Sequence, residues 1–311
     1  MKLVSFQSSD GAKLGALIDD RILDLQTTYK AAVVDPALPK LLNGMDDFLE
    51  SGQRAFDAAT HSIRVAEASP EKAVWVKAPL LPPVPNPKKI LLLAGNYAAH
   101  IEEGGAKALS KVETTPRVFM KPPSTTLIAS EQPIVIPANG AFIDWEAELG
   151  VVIGKRGKFI SAHDAHDYVA GYTIVNDVSE RRLKVKDSRV PRDGDGWFDW
   201  LNGKWFDTFA PIGPCLVTKD DITNPDNLHL TLRLNGEVKQ DANTGQMIFN
   251  TAELVEFIST LVTLEPGDII STGTPSGVGH PDEKLADGDI VEIEIEKIGV
   301  LRNPVVQMTN T

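Results

Sequence analysis

Between positions 142 and 153 the chain reads FIDWEAELGVVI. Successive side chains of an extended strand point to opposite faces, so Asp144, Glu146 and Glu148 share one face and Trp145, Ala147 and Leu149 the other. Glu146 and Glu148 would repel each other in a segment that otherwise enters the core, and a divalent cation is the simplest way to offset that repulsion. An all-oxygen site suits magnesium, manganese or calcium; zinc would recruit His or Cys, and no such cluster is spaced here. The same alternation also describes a solvated strand face. A third carboxylate would tip the balance, and Asp177 is the candidate, closing the apolar run GYTIVND at a strand tip, where ligand groups are displayed. A plain turn aspartate after Asn176 is the alternative.

His100 and Glu103 lie three residues apart in NYAAHIEEGG. On a helix they share a face, and the carboxylate can align and charge-stabilise an imidazole that takes a proton from water. That is a general-base dyad, against the plainer reading of a surface histidine beside acidic neighbours. His61, His163, His166, His229 and His280 have no such setting and read as surface or packing residues.

The elements that must hold these groups can be read in outline. LVSF, LGALID and ILDL within the first 25 residues read as three short strands of an antiparallel unit, and helical spacing of Leu41, Leu42, Met45, Phe48 and Leu49 predicts one or two helices over 37–69. Residues 79–87, PLLPPVPNP, carry five prolines, which keep the backbone extended and mark the best boundary. Beyond it, 89–93 reads as a buried strand, and Asn96 is placed to cap a short helix that stops at Gly104 and Gly105. Further strands are expected at 118–120, 134–136, 145–153, 172–175, 215–218, 228–234, 269–271 and 290–295, with short helices at 162–168 and 251–259. EPGDIIS and ADGDIVE, 21 residues apart, repeat a Gly-Asp turn before an apolar strand and read as two edges of one rolled sheet.

The 311 residues allow two domains or one large one, and 42% apolar residues suffice for an ordinary core. With 31 Lys and Arg against 43 Asp and Glu the formal charge is -12, which repels polyanions and excludes broad nucleic-acid binding. The single cysteine excludes a disulfide scaffold. No apolar stretch approaches a membrane span, and the opening MKLVSFQSSDGAKLG lacks the apolar core of a signal peptide, so a cytoplasmic home is expected.

Seven blocks, GNYAAHIEE, FMKPPSTTLI, IDWEAELGVVIGK, AGYTIVNDVSERR, GKWFDTFAPIGP, LNGEVKQ and STGTPSGVG, stand in one order between about 88 and 298. Together they resemble the fumarylacetoacetate hydrolase family, and the first 80 residues resemble the small domain that many members carry. The resemblance implies an α+β fold: a mixed, rolled β-sheet preceded by a small α/β N-terminal domain. The division is then 1–78, a proline-rich linker at 79–88, and a catalytic domain at 89–311, assembled as a homodimer. It implies a Mg2+, Mn2+ or Ca2+ ion on Glu146, Glu148 and Asp177, and catalysis by His100, Glu103 and Lys204. Substrate contacts fall on Arg181, Gln240, Thr272, Gly273 and Thr274. The implied substrate is a small 2-oxo acid, and the implied reaction is hydrolysis of a carbon-carbon bond of a 2,4-dioxo acid, an acylpyruvate or a sugar-derived diketo acid. Relatives that decarboxylate oxaloacetate-type acids, or isomerise and decarboxylate hydroxymuconate-type diacids, supply the alternatives.

Two departures from the family pattern stand out. NDVSERRLK carries Glu180 and Arg182 where members have a small residue and an Asp, and the link to Lys204 is lengthened over 184–203. That insertion reads as a lid or as a loop anchored by Trp197, Phe198, Trp200 and Trp205. Its Lys184, Lys186, Arg189 and Arg192 could attract a distal carboxylate or simply face solvent.

Overall fold

The computed structural model describes residues 1–32, 38–183, 186 and 188–308. Ala37, where the first helical range begins, and Lys184 of the insertion lie outside the described residues. Strands β1 (Lys2–Ser8), β2 (Gly11–Ile18) and β3 (Arg21–Asp24) form an antiparallel meander. Asp19 and Asp20 between β2 and β3 both take positive φ, 47° and 61°, the backbone of a two-residue hairpin whose twist matches its strands. Helices α1 (Leu25–Ala32), α2 (Met45–Ser51) and α3 (Gln53–Ala68) cover the meander. On α3 the buried Ala55, Ala58, Ala59, Ser62 and Ala66 make a stripe of small side chains that permits close approach. These helices share one apolar cluster with Leu3, Leu14 and Leu23 of the meander, and with Val152, Ile212 and Ile269 from beyond the prolines.

Short strands β4 (Trp75–Val76) and β5 (Leu80–Leu81) pair with β3 and β1. There follow β6 (Ile90–Ala94), α4 (Ala98–Glu103), β7 (Arg117–Lys121), α5 (Pro123–Thr126), β8 (Leu127–Ile128), β9 (Ile134–Ile136) and β10 (Ile143–Asp144). The middle of the chain supplies β11 (Ala147–Ile153), α6 (Ala165–Tyr168), β12 (Val169–Asn176), β13 (Ser179–Glu180), α7 (Asp195–Asn202) and β14 (Ala210–Thr218). The last third supplies β15 (His229–Leu234), β16 (Glu237–Asn243), α8 (Thr251–Leu261), β17 (Ile269–Ser271), β18 (Ile290–Ile295) and β19 (Gly299–Gln307).

A 12-stranded mixed sheet runs β4-β3-β2-β1-β14-β12-β11-β17-β6-β7, with β5 on β1 and β8 on β14. The meander is therefore continuous with the rest: Lys2 pairs with Val217 and Leu3 with Leu216. A second sheet, β16-β15-β18-β19-β9, packs on the first across the larger apolar cluster, in which Leu230, Leu232, Ile293 and Leu301 meet Leu149, Val151, Tyr172 and Ile174. Strands β11 and β12 are buried along their whole length, which explains their near-continuous apolar sequences. This is the α+β fold with mixed sheets expected from the sequence.

Four local readings change. The expected strand 145–153 is shorter: β11 starts at Ala147, and Ile143 and Asp144 ahead of it form β10, which pairs with β13 in a separate ribbon. Asn96 does not cap α4; its side chain instead holds Thr272 O and both backbone groups of Phe249, at 2.8–3.0 Å. The two Gly-Asp turns do form, with Gly267 and Gly288 at φ 87° and 89°, but they feed interior strands of two different sheets. Strands β16 and β19 escaped the periodicity reading, although Asn235 and Gly236 ahead of β16, both at positive φ, are a hairpin signal present in the sequence.

Candidate metal centre and active-site cavity

Register explains why the acidic residues meet. Ala147, the first residue of β11, pairs with Asn176, the last of the antiparallel β12. Glu146 and Glu148 therefore arrive at the sheet end where Asp177 leaves it. One carboxylate oxygen of each lies within 4.8 Å of the other two, and all three residues are buried. Each is held by a different element. Glu148 Oε2 accepts from Ser271 Oγ at 2.5 Å and from the Gly273 N–H at 2.8 Å, just past β17. The Glu146 N–H donates to Asn176 Oδ1 at 3.0 Å. Asp177 Oδ1 pairs with Lys121 at 2.5 Å, and Lys204 Nζ donates to both Asp177 Oδ2 at 2.6 Å and Glu146 Oε2 at 2.8 Å.

Asp144 stands apart from the triad. Its carboxylate takes the N–H groups of Trp145 and Gly279 and the Nε–H of Arg181, at 2.8, 2.7 and 2.8 Å. Arg181 then reaches Glu146 with its other arm at 2.5 Å. These amides and the guanidinium pull Asp144 out of the expected alternation. Counted as ionised, four carboxylates share three cations, Lys121, Arg181 and Lys204, so one negative charge is left over.

The protonation tendencies of the acids diverge. Burial opposes ionisation of Glu146, but Arg181 and Lys204 outweigh it and hold its carboxyl at about 2. Burial pushes Glu148 well above the ordinary carboxylate range, and the neighbouring Asp177 and Glu146 add to the push. Burial also raises Asp177, against Lys121 and Lys204. Lys121 falls to about 8, because burial outweighs its pairing with Asp177.

Glu148 Oε1 is the telling atom: it is buried and has no hydrogen-bond partner among the described residues. A carboxylate oxygen can only accept, and a cation satisfies it. Three oxygen donors without sulfur or imidazole fit a hard divalent ion such as magnesium, manganese or calcium.

Above the triad opens a cavity of about 590 Å³, whose wall includes Glu146, Arg181, Lys204, His100 and Thr274. His100 Nδ1 lies 3.4 Å from Glu103 Oε2 across one turn of α4, and Glu103 Oε1 accepts the Gly277 N–H at 2.9 Å. Gly273 sits at φ 93°, and a Cβ there would come within 2.8 Å of Asn96, so glycine is required at this close approach. Thr272 is buried with its hydroxyl unpartnered among the described residues, while its carbonyl accepts from Asn96. Gln240 does not line the cavity. Its amide is spent on the Ala147 N–H, Thr274 Oγ1 and Pro275 O, so it props the Thr274 turn from behind.

The insertion contributes α7, whose Trp197 and Trp200 join the cavity wall. Trp200 packs edge-on against Phe119 at 4.9 Å and Trp205 Nε1 donates to Met120 O at 2.9 Å, so the aromatic cluster also anchors the loop. Arg189 pairs with Asp199 and Arg192 with Asp195, both within the insertion. Lys121 was missed by sequence reasoning, and its signal is a lysine closing the apolar strand RVFMK. By donating to Val178 O and Phe209 O it draws the β7 edge back onto the ends of β12 and β14.

A family model described as fumarylacetoacetate (FAA) hydrolase C-terminal matches residues 89–306. The chain belongs to the fumarylacetoacetate hydrolase family. It is 41% identical to "Oxaloacetate tautomerase fahd2, mitochondrial" of Xenopus laevis, over 98% of this chain and 90% of that protein. Among solved structures it resembles maleylpyruvate hydrolase from Sphingobium sp. SYK-6 in complex with manganese (II) ion and pyruvate, at 30% identity and TM-score 0.75 over 99% of this chain and all of that one. It also resembles 5-carboxymethyl-2-hydroxymuconate delta-isomerase from Mycobacterium smegmatis, at 30% identity and TM-score 0.71 over the full length of both. No helix among the described residues is long and apolar enough to cross a membrane.

Proposed function

We propose that this protein is a divalent-metal enzyme acting on enolisable 2-oxo acids, with keto–enol interconversion of an oxaloacetate-type acid as its reaction. The observation that carries the reading is the convergence of Glu146, Glu148 and Asp177 within 4.8 Å beneath a cavity that also presents His100. Those three carboxylates would hold Mg2+ or Mn2+, with Ca2+ as the further fit. When bound, the ion supplies Lewis-acid polarisation of the 2-oxo group and its carboxylate. The relative with a tautomerase name covers nearly the whole chain, which favours this reaction over others in the family.

The side chains divide the remaining work. Glu103, fixed by the Gly277 N–H, orients His100 through Nδ1 and leaves Nε2 to move a proton at the carbon beside the ketone. Arg181 and Lys204 keep Glu146 ionised and add positive potential where an enolate develops. The Thr274 turn, propped by Gln240, closes one side of the cavity.

Hydrolysis of a 2,4-dioxo acid is the second reading, and the cavity favours it: about 590 Å³ is far more room than a four-carbon acid needs. His100 would then activate water. A reducing compartment, cytoplasmic in this reading, and assembly as a homodimer complete the proposal; the relative named above is mitochondrial. The test pairs two substrates with manganese present: decay of the ultraviolet absorbance of enol-oxaloacetate, and pyruvate release from acetylpyruvate. Faster decay that a chelator abolishes supports the tautomerase reading, pyruvate release supports the hydrolase, and turnover of neither with metal bound sinks both.

A further inference from the structure

We infer that the outer half of the cavity is an anion subsite, formed by Arg117 and Lys107, that selects 2-oxo acids bearing a second, distal carboxylate. This rests on the proposed function, which puts the 2-oxo end of the substrate at Glu146, Glu148 and Asp177. Arg117 and Lys107 both line the cavity, and neither has an ion-pair or side-chain hydrogen-bond partner among the described residues. The other cations near the cavity are committed. Arg181 and Lys204 hold Asp144, Glu146 and Asp177, while Arg189 and Arg192 of the insertion hold Asp199 and Asp195. Both residues are exposed, and two cations without an internal partner on one cavity wall of a chain with net charge -12 favour an anionic ligand there.

Strand geometry sets the spacing. Arg117, Phe119 and Lys121 alternate onto the same face of β7. Lys121 touches Asp177, and Lys204 Nζ lies 5.3 Å over the Phe119 ring, so the strand runs outward from the carboxylates to Arg117. At roughly 3.3 Å per residue, Arg117 starts about 13 Å from Lys121 along the strand. The second carboxylate of a diacid longer than oxaloacetate, several carbons beyond the ketone, is the one this subsite would meet, with Phe119 and Trp200 of the same wall along the spacer. The charge count agrees. With a divalent ion, the one excess negative charge over the four carboxylates and three cations becomes one positive charge, which balances the 2-oxo acid's own carboxylate, and a second carboxylate needs the further cations that Arg117 and Lys107 provide.

Calorimetric titration of the manganese-loaded protein with 2-oxoadipate and 2-oxohexanoate tests this, since the two differ only in a terminal carboxylate. The expected result is a preference for 2-oxoadipate of about tenfold or more, the worth of one charge-assisted hydrogen bond. In Arg117→Gln that preference falls towards unity, with 2-oxohexanoate affinity unchanged, and Lys107→Gln removes a smaller part. Equal binding of both acids by the unaltered protein overturns the subsite, as does a parallel loss for both acids in Arg117→Gln. Failure of both acids to bind at all overturns the proposed function and the subsite with it.

Discussion

Replacing Glu148 by Gln separates a metal ligand from a structural carboxylate. The introduced amide oxygen can still accept from Ser271 Oγ and the Gly273 N–H, and the new NH2 group takes the place of the unpartnered Oε1, facing the other two carboxylates. The substitution therefore removes a buried charge that its neighbours disfavour, and the metal-free variant should be at least as stable as the parent. Metal binding should suffer instead. At one hundred times its Kd, an ion that binds only the folded state stabilises it by about 2.7 kcal/mol. With an unfolding entropy of about 2.1 cal/mol/K per residue over 311 residues, that is a rise in Tm of about 4 °C. If the variant loses at least a hundredfold in affinity, the same manganese concentration adds only about 0.4 kcal/mol, a shift below about 1 °C. Differential scanning calorimetry with manganese and with a chelator reads both numbers. A wild-type manganese shift in Glu148→Gln would refute the assignment of Glu148 as a ligand, and a metal-free variant markedly less stable than the parent would show the carboxylate to be structural.

Other consequences follow from single contacts. Arg181→Lys cannot span Asp144 and Glu146 with one ammonium, so it should destabilise the protein by about 3 kcal/mol in urea unfolding, the usual scale for breaking a buried ion pair. An unchanged midpoint would mean that the bridge contributes nothing. Cys215 is fully buried and burial pushes its thiol up to about 11, so it stays neutral below that pH and should not react with an aromatic disulfide reagent at pH 8 until the chain unfolds. Rapid labelling of the native protein would contradict this. Gly171→Ala places a Cβ 2.1 Å from Val217 O between β12 and β14, and should cost about 3 kcal/mol or prevent folding; thermal unfolding within about 1 °C of the parent would show that the strands give way freely.

How much of this the sequence carried depends on the range of the interaction. Glu146 and Glu148 were legible because period two is local, and Asp177 because an apolar run has a visible end. Their meeting was not, since it depends on the pairing of Ala147 with Asn176, 29 positions away. The break at Trp145 was equally hidden, because what diverts Asp144 is Arg181 and the Gly279 N–H, both distant in sequence. Asn96 looked like a helix cap from its neighbours alone, but its three hydrogen bonds go to Phe249 and Thr272. The family blocks compensated for this blindness where residues recur in a known order. They could not flag Arg117 and Lys107, which belong to no block and gain meaning only from the cavity they line.

The same contrast resolves how an acidic chain can capture anions. A net charge of -12 governs long-range encounter, and salt screens it beyond about 10 Å at ordinary ionic strength. Around the cavity the balance is set at the floor by Arg181 and Lys204 in its wall and by Lys121 buried against Asp177, and nearer the mouth by the exposed Arg117 and Lys107. The floor cations are tied to carboxylates and tune how readily those carboxylates ionise, whereas the outer pair has no internal partner among the described residues. Added salt should therefore weaken binding of a distal carboxylate at the mouth more than binding of the 2-oxo end at the buried floor. The ratio of 2-oxoadipate to 2-oxohexanoate affinity, followed against salt, measures that difference directly: it should fall as salt rises, and a ratio independent of salt would mean that the outer cations do not touch the ligand.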